Sequence, residues 1–359
     1  MSCELEDLGY GEFFASSRQG LGLDGYAVAR VIAEHRGAYK VKNPAGVYLA
    51  EVTGRHMFTA QSREDYPAVG DWVAITEMDA ESAIINGVLR RKTILQRKYS
   101  GQLEAQVIAT NIDVAFIVES IDRDYNLNRL ERYMAIARDG GIEPVVVLNK
   151  IDLIPLEELD LKTAQVRARL GDVDFVQSSA FLAEGLDGIS SRISRGNTYC
   201  FLGSSGVGKS SLINRLLGGE VIRIEDISRH TGRGRHTTTA REMYFLAGGG
   251  IVIDNPGMRE IGMTGSHAGI RDVFAEVAAL SHACRFKDCT HMREPGCAVR
   301  EAVTNGELDE AAILNYARLK KEAEYYEMSS LEKKNKDRQF GKFVKRAKKQ
   351  LKEFKEFEQ

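Results

Sequence analysis

Gly203-Ser204-Ser205-Gly206-Val207-Gly208-Lys209-Ser210 fits the phosphate-cradle pattern G-x-x-x-x-G-K-[ST]. Glycines let a backbone wind tightly, so that successive N–H groups point inward at phosphate oxygens. Lys209 is expected to reach the β- and γ-phosphates, and Ser210 to ligate Mg²⁺. Ser211 begins a helical run whose N-terminus adds partial positive charge. A chance Gly-rich turn would lack the apolar strand Thr198–Leu202 in front and the run Ser211–Leu217 behind, and this sequence has both.

The cradle does not choose between ATP and GTP. Asn149-Lys150-Ile151-Asp152 does, directly after the apolar run Val145–Leu148. An aspartate there accepts two hydrogen bonds from guanine N1–H and the N2 amino group. Adenine offers no such donor pair and would leave the carboxylate unpaired. Asn149 is expected on the opposite base edge, with the Lys150 stem over the ring. Ser179 and Ala180, after the strand Phe175–Gln177, are placed to aim a backbone N–H at guanine O6.

Asp254-Asn255-Pro256-Gly257 closes the strand Ile251–Ile253. Asp254 is expected to hold Mg²⁺ through water, and the Gly257 N–H to meet the γ-phosphate. Between cradle and Asp254 runs the Gly-rich loop Thr231–Thr239, in which Thr238 is the choice among three threonines to complete the Mg²⁺ shell. Met258 stands where many small GTPases carry a water-orienting glutamine, which predicts slow unaided turnover; His236 is the candidate replacement. A surface histidine with no role is the plainer reading.

The base motifs precede the cradle, the reverse of the usual order. A parallel sheet tolerates such a permutation if old termini are joined and new ones opened. The segment after Asp254 then leads straight into the C-terminal region, which wires a γ-phosphate sensor to it.

That region holds Cys284, Cys289, His291 and Cys297 within fourteen residues, a full tetrahedral set for one structural Zn²⁺. Nearby Arg285, Lys287 and Arg293 favour the thiolates. A polar loop with few apolar residues needs such a staple, whereas free cysteines beside a stray histidine would not supply one. Cys200, inside an apolar strand, reads as a core residue.

These groups need elements to hold them. Residues 24 to about 97 read as five short strands, which suit a small barrel such as an OB-fold, a common nucleic-acid binder. From about 110 apolar strands alternate with helical stretches, the pattern of a parallel sheet covered by helices. After about 265 the pattern is helical, with a stripe of Ile270, Val273, Phe274, Val277 and Leu280. The division expected is a loose leader 1–23, an RNA-binding OB-fold 24–97, a circularly permuted α/β P-loop GTPase domain 98–265, a helical zinc-binding domain 266–328 and a basic amphipathic tail 329–359.

Hydrophobic residues at 43% and charged residues at 28% describe a soluble protein, and no run approaches the roughly 18 apolar residues of a membrane span. The acidic start argues against a secretory signal and, with five cysteines that make no disulfide framework, for the cytoplasm. From Lys333 to Gln359 eleven Lys or Arg face four Asp or Glu, so +7 sits on the tail and −9 on the remainder of a chain with net charge −2. Such a tail suits a polyanion, or is simply a solvated helix.

Motif order, the Gly-Arg-Gly-Arg-His236-Thr-Thr-Thr run, Asp254-x-Pro256-Gly257 and the Cys284…Cys297 spacing together resemble the RsgA (YjeQ) family of circularly permuted GTPases from about residue 24 to 325. The resemblance implies an OB-fold, a GTPase stimulated by the small ribosomal subunit late in its assembly, rRNA as a partner, and hydrolysis served by His236. Asn255 departs from the family's usual Thr or Ser without touching Asp254 or Gly257. The acidic N-terminus departs from the basic leader of some members, and the tail can supply that charge instead. A monomer is expected. The competing readings are a metabolic or signalling GTPase with a protein-binding barrel, and a nucleic-acid module with a vestigial nucleotide site.

Overall fold

The computed structural model describes residues 4–35, 37–54, 62–98, 105–122, 125–222, 241–254 and 267–328, with positions 58, 60, 332 and 338 besides. His236, Thr238, Gly257, Met258 and nearly all of the basic tail lie outside the described residues.

The first five strands are β1 (Ala27–His35), β2 (Ala38–Lys42), β3 (Val47–Val52), β4 (Trp72–Glu77) and β5 (Ser82–Val88). In β3 every second residue is buried, the period of a half-buried strand. β1 pairs with both β2 and β4, β3 with β2 and β5, and β4 with β5, so the five close into a ring. Closure leaves no free sheet edge and encloses Val31, Val41, Ala50, Val73 and Ile85.

The residues ahead of the barrel, expected to be loose, are folded onto it. A helix, α1 (Glu12–Gly20), buries Phe14, and the turn before it buries Leu8. Both pack against Trp72, whose ring also meets Tyr10 edge-on at 4.9 Å between centroids. One short turn followed by one short helix gives no sustained period, so the sequence pattern hides them.

A hairpin absent from the sequence reading follows: β6 (Ile94–Lys98) with β7 (Ala105–Thr110). Beyond the hairpin the chain builds β8 (Val114–Ser120), β9 (Glu143–Asn149), β10 (Phe175–Ser178), β11 (Thr198–Leu202), β12 (Glu242–Phe245) and β13 (Ile251–Asp254). Their spatial order is β10-β9-β8-β11-β13-β12; the first five are parallel and β12 is antiparallel. A single pairing, Ala33 with Glu242, joins this sheet to the barrel.

Helices α2 (Leu127–Asp139), α3 (Leu156–Leu170), α4 (Asp187–Ser190) and α5 (Lys209–Leu217) cover the sheet. From β8 the chain moves outward to β9 and β10, then returns to β11 and moves the other way to β13. That reversal opens a crevice between β8 and β11 at the carboxyl ends of the strands. Among the described residues, Asn149–Asp152, Ser179, Ala180, the cradle Gly203–Ser210 and Asp254 fall at those ends.

The C-terminal helices are α6 (Ala268–Val273), α7 (Ala275–Ser281), α8 (Ala298–Thr304) and α9 (Glu310–Glu327). The expected stripe from Ile270 to Leu280 is therefore two helices, broken at Phe274 (φ −110°, ψ 46°). The break turns the Phe274 ring against Tyr316, 5.5 Å away. α6 lies hard on α2: a Cβ at Gly269 would stand 2.1 Å from the Ala135 carbonyl oxygen. Arg169 of α3 pins the seam through Glu131 of α2 at 2.6 Å and Asp309 at 2.5 Å.

Barrel and sheet share a buried cation. Arg30, 1% exposed, donates from Nη1 to the Leu8 carbonyl, from Nη2 to the Asn111 carbonyl at 3.0 Å and from Nε to the Gly70 carbonyl at 3.3 Å. Burial pushes the guanidinium down to about 10, against the pull of Asp113 and Asp71. Arg30→Ala strands the buried carbonyls of Leu8 and Asn111, while that of Gly70 keeps the Asn111 Nδ2 donor at 3.0 Å, with an expected cost of about 3 kcal/mol. The check is the urea midpoint, and an unshifted midpoint would show that this seam does not stabilise the fold.

Candidate nucleotide site and metal centre

β11 delivers the chain into the cradle and α5 receives it. Gly206 and Gly208 adopt φ of +81° and +99°, a region that side chains disfavour. Val207 between them is 1% exposed and anchors the loop in the core beneath α5. Lys209 Nζ lies across the loop, donating to the carbonyls of Gly203 at 2.8 Å and Ser204 at 2.6 Å. Ser205 is exposed, and Ser210 and Ser211 are half-buried in the first turn of α5. The first N–H groups of any helix have no partner within it, so this turn can face an anion.

The base motif is braced against the cradle. Asn149, last residue of β9, donates from Nδ2 to the Val207 carbonyl at 2.7 Å and accepts from Ser178 Oγ at 3.0 Å. A Cβ at Gly208 would stand 2.3 Å from that same Nδ2, so only glycine leaves room for the brace. Asn149 is 1% exposed, and the structure thus uses its amide inside the protein. Lys150 takes a left-handed φ of +65°, which swings the chain off the strand into the short turn Ile151–Leu153 carrying Asp152. Lys150 Nζ donates to Asp122 at 3.0 Å, just beyond the end of β8.

Asp152 is exposed at the crevice rim. Its Oδ1 accepts from Ser179 Oγ at 2.5 Å, and Ser179 Oγ in turn accepts the N–H groups of Phe181 at 3.0 Å and Leu182 at 3.3 Å. The two parts of the expected guanine site, Asp152 and the loop at Ser179 and Ala180, are therefore joined directly. Asp254 ends β13, beside β11, and so stands at the same sheet edge as the cradle. The braces through Ser178, Val207 and Asp122 carry no sequence signal, since each joins residues that only the sheet brings together.

The metal-ligand set is fully assembled. One ligand atom from each of Cys284, Cys289, His291 and Cys297 lies within 4.8 Å of all the others. His291 Nδ1 is 3.6 Å from Cys284 Sγ and 3.5 Å from Cys297 Sγ. Its Nε2 is 3.1 Å from Ser281 Oγ, and that hydroxyl donates to the Val277 carbonyl at 2.6 Å. With the hydroxyl hydrogen so used, Ser281 accepts from Nε2–H, which leaves the Nδ1 lone pair for a metal. Burial lowers the His291 pKa and keeps the ring neutral; Lys320 adds to this. Burial pushes the Cys289 thiol up to about 12, so without a cation it stays protonated. Three thiols and one imidazole at this spacing fit Zn²⁺ as a closed structural site.

A closed five-strand barrel ahead of a P-loop sheet whose base motif comes first defines a circularly permuted GTPase. The RsgA GTPase family matches residues 88–264. A small ribosomal subunit biogenesis GTPase RsgA from Opitutus terrae is 42% identical over 332 residues, 89% of this chain and 90% of that protein. Its counterpart from Lactiplantibacillus plantarum is 41% identical, covering 89% and 90%. Among solved structures, YjeQ from Thermotoga maritima superposes with a TM-score of 0.62 at 25% identity, over 82% of this chain and 98% of that one. YloQ, a circularly permuted GTPase, shares the fold with a TM-score of 0.60 at 21% identity, over 83% and 95%. The chain belongs to the RsgA GTPase family and is a GTP-hydrolysing enzyme.

Proposed function

We propose that this GTPase acts in the cytoplasm on the small ribosomal subunit, as a monomer, and hydrolyses GTP to GDP and phosphate in a late step of that subunit's maturation. One observation carries the proposal. Likeness to a small ribosomal subunit biogenesis GTPase extends at 42% identity across 89% of the chain, far more than the GTPase sheet alone. Among the described residues no helix is long and apolar enough to cross a membrane.

Within that reading the sites divide by chemistry. Residues Gly203–Ser211 bind the phosphates, with Lys209 on the β- and γ-oxygens. Asp152 reads guanine, whose bound ring would cover the exposed carboxylate and make a mismatch costly. Mg²⁺, when bound with GTP, neutralises phosphate charge; Ser210, Asp254 and Thr238 are the groups that would hold it. The Gly257 N–H meets the γ-phosphate, and His236 orients the attacking water. Zn²⁺ on the Cys284 set staples the C-terminal lobe. The barrel 24–97 and the basic tail 329–359 supply contacts to rRNA phosphates.

The test is co-sedimentation with purified small subunits at rising salt, with a non-hydrolysable GTP analogue or GDP. Binding that favours the analogue and weakens steeply with salt is expected. Failure to sediment under any nucleotide, with GTP turnover intact, would return the chain to a signalling or metabolic GTPase with a protein-binding barrel.

A further inference from the structure

Arg215, on α5 behind the cradle, sends its guanidinium across to the base loop. Nη1 donates to the carbonyls of Ala180 at 2.7 Å and Leu182 at 3.1 Å, and Nη2 to that of Ala183 at 3.3 Å. One planar fork thus gathers three acceptors of the same short loop. This loop also carries Ser179, which holds Asp152.

The base of the loop is held, with Ser179 fully buried and Ala180 packed against the core of the sheet, but its tip is not: Phe181 is 82% exposed and Leu182 44%. Bonds within it, Phe181 N–H and Leu182 N–H to Ser179 Oγ and Gly185 N–H to the Leu182 carbonyl, set its shape. They do not fix it against α5.

We propose that Arg215 is a positioning residue for guanine recognition, fixing the 179–183 loop to the phosphate-binding helix so that base and phosphate halves are assembled before the nucleotide arrives. The proposal rests on the guanine-nucleotide reading of Asp152. Its energetic content is preorganisation: a loop that adopts the binding geometry a tenth of the time weakens apparent affinity about tenfold without losing a single contact to ligand. The effect falls on the base half alone, because the cradle and its anchor Val207 lie elsewhere on α5 and in the core.

The experiment measures binding of GDP, ADP and inorganic tripolyphosphate to the full-length protein and to its Arg215→Ala and Arg215→Lys variants. Arg215→Ala is expected to weaken GDP about tenfold and leave tripolyphosphate unchanged. Arg215→Lys, with one ammonium in place of the fork, should fall between. An unchanged GDP affinity in Arg215→Ala overturns the proposal, as does equal weakening of GDP and tripolyphosphate, which would mean that α5 itself is damaged. Wild-type protein that binds ADP as tightly as GDP would instead remove the guanine reading, and the proposal with it.

Discussion

Asp152→Asn should weaken GDP binding by about 10³-fold while xanthosine diphosphate gains affinity. The substitution keeps the side chain's shape, so the bond from Ser179 Oγ onto Oδ1 can persist. What changes is the face turned to the base. A carboxylate accepts from both N1–H and the N2 amino group, whereas an amide NH₂ meets that amino group donor to donor, which leaves both unpaired. Xanthine carries a carbonyl at that position and restores the match. Competitive displacement with the two diphosphates reads the switch. Loss of both ligands alike would mean that Asp152 acts on the fold of the loop and not on the base.

Removing metal from the Cys284 set should cost the C-terminal lobe about 5 kcal/mol, less than an isolated zinc finger loses. The discount comes from the apolar core that the lobe shares with the sheet, through Val277, Val299 and Leu319. Without a cation, two buried thiols, the half-buried Cys284 thiol and a neutral imidazole crowd within 4.8 Å with only weak sulfur contacts among them. Cys297→Ser should therefore give the same unfolding shift as a chelator, with release of one Zn²⁺ per chain from the wild type. GDP binding should survive, because the cradle packs in a separate core on the other side of the sheet. A protein that holds no metal, or whose unfolding ignores its loss, would contradict the structural-zinc assignment.

Sequence legibility followed the range of the interactions. The strand Thr198–Leu202 stands where its apolar run placed it, because it is set by a local pattern. The glycine-rich turn of the cradle and the assembly of the cysteine set were legible for a related reason, since residue type and short spacing carry them. The β6–β7 hairpin was not. Residues 90–98 mix Arg91, Lys92, Gln96, Arg97 and Lys98 among few apolar ones, and only Leu95 and the far strand reveal the buried face. Likewise nothing in the chain announces that Asn149 would brace Val207, 58 residues on, or that Ser281 would set the tautomer of His291. Those contacts exist only after the sheet and the lobe have formed.

The most direct measurement is steady-state hydrolysis of GTP and ATP by the purified protein, with and without small ribosomal subunits, alongside His236→Ala. Slow turnover of GTP alone is predicted, rising by orders of magnitude with subunits and falling back in the variant, since Met258 offers no group to orient water. Turnover of GTP that is indifferent to subunits would contradict the ribosomal role and leave only the GTPase.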